Sequence, residues 1–306
     1  MFAPASAASS VVNCATERGC GCPGIGQAWR PLDVYTSIRS TFMHGKRSGD
    51  KYPMKRCMRQ VALAVALIAP AMGMQASAEE APVSTVAGSV AVINDYLFRG
   101  LSQTNWKPAV QPGIEYDHAS GWYVGAWGSN ISWLSDASSD AAPISSSVEL
   151  DFYTGFRGKI TGDWSYDVGL YEYYYPGTYP SGFTRPYTTE AYASIGFKGV
   201  TLKYSHAFTN LFGFAHSKNS GYVDLSYSYE FTPSWTVGAH VGHQKVHNVD
   251  GASYSDWRVS VSKAFNHGYS VSLGYYDTNA SRSVYTNAYG HFVGRATGIL
   301  TLSKSF

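Results

Sequence analysis

Val223-Asp224-Leu225-Ser226-Tyr227-Ser228-Tyr229-Glu230-Phe231 places an apolar side chain at every second position and a polar one between. A period of two is the signature of an extended strand, whose side chains point alternately to opposite faces. Val223, Leu225, Tyr227, Tyr229 and Phe231 form one face, and Asp224, Ser226, Ser228 and Glu230 the other. In a water-soluble sheet the apolar face packs inward. In a barrel set in lipid it points outward, and the polar face lines the interior.

Neighbouring segments repeat the pattern. Val148, Leu150, Phe152 and Phe156 alternate with Glu149, Asp151 and Arg157, and Tyr269, Val271, Leu273 and Tyr275 with Ser270, Ser272 and Gly274. Twelve strands are predicted, at about 88–98, 108–118, 121–132, 146–157, 163–174, 188–198, 200–209, 220–231, 234–245, 254–265, 268–277 and 291–306. Their connections alternate in length. Ala119-Ser120, Gly158–Gly162, Gly199, Thr232-Pro233 and Asn266-His267 are short, whereas 100–107, 133–145, 175–187, 210–219, 246–253 and 278–290 are mostly long. Short turns at one end and long loops at the other mark a transmembrane up-and-down antiparallel β-barrel; a soluble sandwich has no reason to sort its loops by parity. Aromatics flank the short turns: Tyr116 and Trp122, Phe156 and Trp164, Phe231 and Trp235, Phe265 and Tyr269, with Phe197 at the remaining one. They form a candidate interfacial girdle. Hydrocarbon offers no hydrogen-bond partners, so the last strand must pair with the first. The first strand has apolar residues on both faces, Val90 and Val92 against Ala91 and Ile93, and the pattern does not orient it. The terminal strand closes on Phe306, the expected assembly signal for the barrel assembly machinery.

Upstream, Lys55, Arg56 and Arg59 precede an apolar core, Val61 to Met74, and the small residues Ala76-Ser77-Ala78. This is the anatomy of a cleaved secretory signal, with Ala76 and Ala78 at the cleavage site. The predicted organisation is 1–53, a mis-called N-terminal extension without a fold; 54–78, signal peptide starting at Met54; and 79–306, barrel. All four cysteines (Cys14, Cys20, Cys22 and Cys57) fall before the cleavage site, so the barrel has neither disulfides nor thiols. From Glu79 onward there are 14 Lys and Arg against 18 Asp and Glu, a net charge of −4, where the full chain carries +2. A nucleic-acid partner is excluded by that balance.

Asn94-Asp95-Tyr96-Leu97-Phe98-Arg99-Gly100-Leu101-Ser102-Gln103-Thr104, Pro108–Tyr116 and Gly121-Trp122-Tyr123-Val124-Gly125-Ala126-Trp127-Gly128-Ser129-Asn130 resemble the TorF family of proteobacterial porins. Tyr-x-Phe-Arg-Gly and Gly-x-Tyr-x-Gly-x-Trp carry the resemblance most specifically, and it extends over the whole of 79–306. It implies an outer-membrane barrel acting as a porin, and brings no catalytic or ligand-binding residue with it. Lys304 departs from the usual terminal signal, where an aromatic is common.

Histidines 240, 243 and 247 have a spacing that suits a helical metal site, but a strand sends His240 to the opposite face from the other two. His216-Ser217 invites comparison with a lipid-hydrolysing barrel, yet it sits in a loop and in the wrong order. Neither a catalytic residue nor a metal or cofactor site is expected. The expected function is passive diffusion of small hydrophilic solutes through the outer membrane of a Gram-negative bacterium. The rivals are a barrel enzyme acting on lipid and a closed structural or adhesive barrel. Alternation points Glu115, Asp117, Glu149, Asp151, Asp167, Glu190, Asp224, Glu230 and Asp256 into the lumen, with Arg157, Lys198, Lys203, Arg258 and Arg295. Nine acids against five bases predict a mild cation preference. The expected partners are outer-membrane lipid, the assembly machinery and the solutes.

Overall fold

The structure, a computed structural model, describes residues 83–306. The expected extension (1–53) and signal segment (54–78), with Ala76 and Ala78, lie outside the described residues. The strands are β1 (Thr85–Ile93), β2 (Leu97–Phe98), β3 (Leu101–Ser102), β4 (Ala109–Asp117), β5 (Trp122–Asn130), β6 (Val148–Thr161), β7 (Trp164–Tyr174), β8 (Thr188–Phe197), β9 (Val200–Ala207), β10 (Gly221–Thr232), β11 (Trp235–Lys245), β12 (Tyr254–Ala264), β13 (Tyr269–Thr278) and β14 (Thr297–Ser305). Among the described residues, β1 and β4 to β14 close in chain order into a twelve-stranded antiparallel barrel, while β2 and β3 form a separate hairpin.

Closure is made by β14 against β1, from Ser89 opposite Ser305 to Ile93 opposite Thr301. Phe306 extends this ladder. It exchanges backbone hydrogen bonds with Gly88 at 2.8 and 3.0 Å, and its ring lies where a Cβ on residue 88 would stand. A glycine there lets the terminal aromatic seal the seam.

The exterior is apolar. Val223, Leu225, Tyr227, Tyr229 and Phe231 are exposed, and so are Val148, Phe152, Phe156, Leu273 and Tyr275. A continuous apolar belt around a closed sheet is not compatible with a water-facing surface; it is the lipid-facing band of a transmembrane barrel. The first strand is now oriented. Val86 and Val92 are exposed and outward, whereas Ala91 and Ile93 are each 5% exposed and inward.

Loop parity holds. Short turns follow β4, β6, β8, β10 and β12, and longer connections follow β1, β5, β7, β9, β11 and β13. The β8–β9 turn is Lys198-Gly199, with φ of 44° and 86°. Two consecutive positive φ values make the tight two-residue hairpin turn whose twist matches its strands. The girdle faces outward: Trp164 and Phe197 rings lie 4.6 Å apart, and Tyr116 and Trp122 6.0 Å. Lys263 sits 4.9 Å from the Trp235 ring and Lys304 5.1 Å from Tyr269. The outward Lys304 thus adds a cation to the girdle that Phe306 joins.

Two boundaries differ most from the sequence reading. β1 stops at Ile93 instead of continuing to 98, and β14 starts at Thr297 instead of 291. Residues 94–98 leave the wall and turn into the lumen, while 291–296 belong to the loop that covers the hairpin, where the Val293 carbonyl accepts Ser102 N–H.

Candidate functional site

The connection 94–108 folds into the barrel and carries the β2–β3 hairpin. At its tip Arg99 and Gly100 have φ of 43° and 83°, another two-residue turn with both φ positive. The base is tied by Asp95, which accepts hydrogen bonds from Ser102 Oγ at 2.6 Å and Thr104 Oγ1 at 3.0 Å. Gln103 N–H donates to the Tyr96 carbonyl at 2.7 Å. Burial pushes the Asp95 carboxyl up to about 6, against the lowering effect of those two hydroxyls.

The tip crosses the lumen. The Arg99 guanidinium donates to both Glu190 oxygens on β8 at 2.9 Å and also to Gln244 on β11. It lies 4.2 Å from the ring centroid of Tyr222 on β10. In the barrel order β8 to β11 stand on the far side from β1 and β4, where the hairpin begins and ends. Both partners of the ion pair are 1% exposed. Gly100 abuts β12: a Cβ there would stand 2.7 Å from that of Asp256. Phe98 packs edge-on against Phe212 at 5.4 Å and Tyr173 at 6.1 Å, and Tyr96 meets Trp127 at 5.5 Å. Two outer loops cover the hairpin. Ser132 and Trp133 N–H donate to the Gln103 carbonyl at 2.9 and 3.1 Å, and Ser102 N–H donates to the Val293 carbonyl at 2.9 Å.

The wall facing this plug carries paired polar groups. His240 on β11 lies between two carboxylates, Nδ1 at 2.7 Å from Asp224 and Nε2 at 2.8 Å from Asp256. Tyr222 OH donates to Asp256 at 3.0 Å. On β6, Glu149 and Asp151 accept from Tyr175 OH at 3.1 Å and Tyr171 OH at 2.9 Å. Lower in the barrel Arg157 binds both Glu115 and Asp117, its guanidinium 4.2 Å from the Tyr123 ring. Tyr123 OH donates to Asp167 at 2.5 Å, and the Lys203 ammonium stands 3.7 Å from the Tyr192 ring. Glu230 accepts Ser234 N–H at 3.1 Å; Arg258 is inward, 5.6 Å from the Tyr276 ring.

Most of the expected lumenal residues therefore stand on the inner face. Two do not. Lys198 occupies the first position of the β8–β9 turn, is exposed, and pairs with Asp163 at 3.6 Å; the alternation ends at Phe197, one residue earlier. Arg295 belongs to the loop before β14, is exposed, and stacks 3.5 Å from the Trp106 ring. The periodic reading put it on a wall strand that starts only at Thr297.

Arg99, Tyr222, His240 and Gln244 are the central residues that alternation did not single out. Arg-Gly between Leu97-Phe98 and Leu101-Ser102 has the form of a hairpin tip. What the tip reaches is visible only in three dimensions. His216 is exposed. Ser217 Oγ is occupied by the loop backbone, donating to Phe214 O at 2.6 Å and accepting Leu211 N–H at 2.7 Å.

Residues 77–306 match the model of a family described as "Bacterial protein of unknown function (Gcw_chp)". The chain belongs to that family. No curated protein matches it. Among solved structures it is similar to the KdgM porin, at 10% identity and a TM-score of 0.45, over 73% of this chain and 98% of that one. It is also similar to an outer membrane channel from Pseudomonas putida F1, at 13% identity and a TM-score of 0.44, over 77% of this chain and 100% of that one.

Proposed function

We propose that this protein is an outer-membrane channel for small hydrophilic solutes, closed by its inner hairpin in the state described, and of the TorF type. One observation carries the reading. The obstruction is a hairpin that forms no ladder with the wall and is anchored across the lumen by side chains, chiefly Arg99. A strand built into the wall could not leave without opening the sheet. A side-chain-anchored hairpin can swing out and leave the barrel intact. Behind it the turn-side lumen is lined by small hydroxyl residues such as Ser194, Ser226, Ser228, Ser260 and Ser272, a surface suited to water and polar solutes. The long loops then face the exterior and the short turns the periplasm. Phe306, closing the seam against Gly88, is the feature that the assembly machinery would read.

A closed structural barrel is the second reading, favoured by the burial of the same hairpin. Planar-bilayer recording separates the two. The full-length barrel should give long closed intervals with openings, and a variant in which residues 95–104 are replaced by a short Gly-Ser linker should conduct steadily. Silence from both proteins, with the barrel folded, would establish the structural reading and end the channel proposal.

A further inference from the structure

The outer face carries an uneven charge at the loop-side rim. His206 on β9 and Lys245 on β11 are both register partners of Gly221 on β10, so they lie on one row across three adjacent strands. Both point to the lipid side; their inward neighbours Ser205 and Gln244 are buried, and Lys245 is exposed. Two loops bring a further lysine and two histidines above this row. Ser220 Oγ accepts the His247 N–H at 2.9 Å, and Asn248 Nδ2 donates to the His216 carbonyl at 3.1 Å. Loops 208–220 and 246–253 are thereby packed together, with His216, Lys218 and His247 exposed. His243, one row below, is exposed and held by Ser255 Oγ at 2.9 Å.

Acidic residues are scarce on this surface. Among the described residues the outward positions of β9, β10 and β11 hold no Asp or Glu, because Asp224 and Glu230 point inward. Loop 208–220 has none either, and loop 246–253 has only Asp250. Neither Lys218 nor Lys245 makes an ion pair among the described residues. Toward the barrel's flanks the next outward acids are Glu172, engaged by Thr189 Oγ1 at 2.5 Å, and Asp277 on β13. Directly below the row lie Leu202, Val223, Leu225 and Val241, exposed to hydrocarbon. Tyr204 OH reaches His206 Nδ1 at 3.3 Å, and the Phe208 ring stands 5.5 Å from it. Lysines on the turn-side rim are placed differently: Lys263 and Lys304 each lie beside an aromatic ring.

We infer that the β9–β11 rim binds the phosphate groups of an outer-leaflet lipid headgroup. The place is set by its depth. A phosphate rests at the boundary between acyl chains and water, and this row sits where the apolar belt ends. Lysines act there as point charges, imidazole N–H groups add hydrogen-bond donors, and the apolar wall below accepts the chains. A solute headed for the lumen would not meet these side chains, since they point away from it. The inference rests on the orientation that puts the long loops outside, not on the barrel conducting.

The test uses the full-length barrel purified in detergent and mixed with bis-phosphorylated or dephosphorylated lipid A, with retained lipid counted by native mass spectrometry. The phosphorylated form should be retained, and the dephosphorylated form lost. Lys218→Gln with Lys245→Gln should lower retention by about 30-fold, the effect of two lysines near a membrane phosphate. Lys263→Gln, on the other rim, should leave it unchanged. Heat-modifiable gel mobility reports that each variant is folded. Equal retention of the two lipids, unaltered retention by the double variant, or displacement of the lipid by millimolar inorganic phosphate would overturn the inference.

Discussion

The two halves of the lumen are built from different side chains on the same strands. Toward the loops the inner face carries Tyr171, Tyr173, Tyr222, Tyr254 and Trp127, all buried, closing on Phe98 and Phe212. Toward the turns β8, β10 and β12 present Ser194, Ser226, Ser228 and Ser260, partly accessible, and β13 and β14 a serine pair, Ser270 with Ser303 at 2.7 Å. The loop-side half is packed like the interior of a soluble protein, and the turn-side half is divided, filled by Tyr123 and the Arg157–Glu115–Asp117 cluster on β4 to β6 and lined by small hydroxyls on β8 to β13. A barrel wall needs only ladder hydrogen bonds and an apolar outside to be stable in lipid. Its interior is free to be filled or left open, and here side-chain size does both.

Breaking the hairpin's anchor is the sharpest way to test the contrast. Arg99→Ala removes the cation paired with the buried Glu190 carboxylate, and removing one member of such a pair costs about 3–5 kcal/mol. We expect this variant to conduct far more often in planar bilayers, with the barrel still folded on a heat-modifiable gel. A double Arg99→Met, Glu190→Met variant should keep the lumen closed, because apolar groups of similar volume replace a buried pair at little cost. If Arg99→Ala stays as quiet as the parent, the filled half does not depend on this anchor.

A smaller effect is expected at the tip. Gly100 has φ of +83° and abuts Asp256. Gly100→Ala should weaken seating of the hairpin by about 1–3 kcal/mol through backbone strain and contact. Protease nicking near residue 100 measures it: the variant should be cut faster than the parent, and equal rates would mean that the tip has room.

Proton concentration should tune the same seat. The Asp95 carboxyl is raised from 3.8 to about 6, so the seated hairpin holds its proton more tightly than a released one. Seating is strongest below the released value. It weakens as pH rises from 3.8 through about 6 and is level above that. Openings should therefore be rarer at pH 4.5 than at pH 7.5, and Asp95→Asn should flatten the difference. A parent with equal opening at both would separate Asp95 from the closure.

The smallest effect concerns the open half. Arg157 offsets one of the two charges of Glu115 and Asp117, Glu190 loses Arg99 when the hairpin is replaced, and Lys198 and Arg295 do not line the wall. The remaining acids should still give a slight cation preference in the hairpin-replaced variant, fading at high salt. The reversal potential across a salt gradient measures it, and an anion-selective value would mean that other charges set the path.

Much of the wall was legible because a strand's period is strictly local. Val223 to Phe231 shows its faces in nine consecutive residues, and parity of the loops supplied the rest. Legibility failed where the chain left the wall. Leu97-Phe98 and His291 to Arg295 look like strand ends by alternation, yet the first pairs with Leu101-Ser102 of its own connection and the second packs against that connection from outside. Lys198 failed for a related reason, since a tight turn begins the residue after Phe197 and alternation has no meaning across it.

The sequence by itself determined the barrel, its strand count, the lipid-facing side of most strands and the position of the seam at Phe306, because each follows from hydrogen-bond closure and a two-residue period. Only the tertiary structure decided that the lumen is filled at one end. It brought Arg99 to Glu190, Gln244 and Tyr222 across the barrel, placed His240 between Asp224 and Asp256, and aligned His206 with Lys245 on one outer row. Those contacts join residues far apart in the chain. They depend on register, on the curvature of a closed sheet and on a loop's path through it, and no local pattern of residues encodes any of the three.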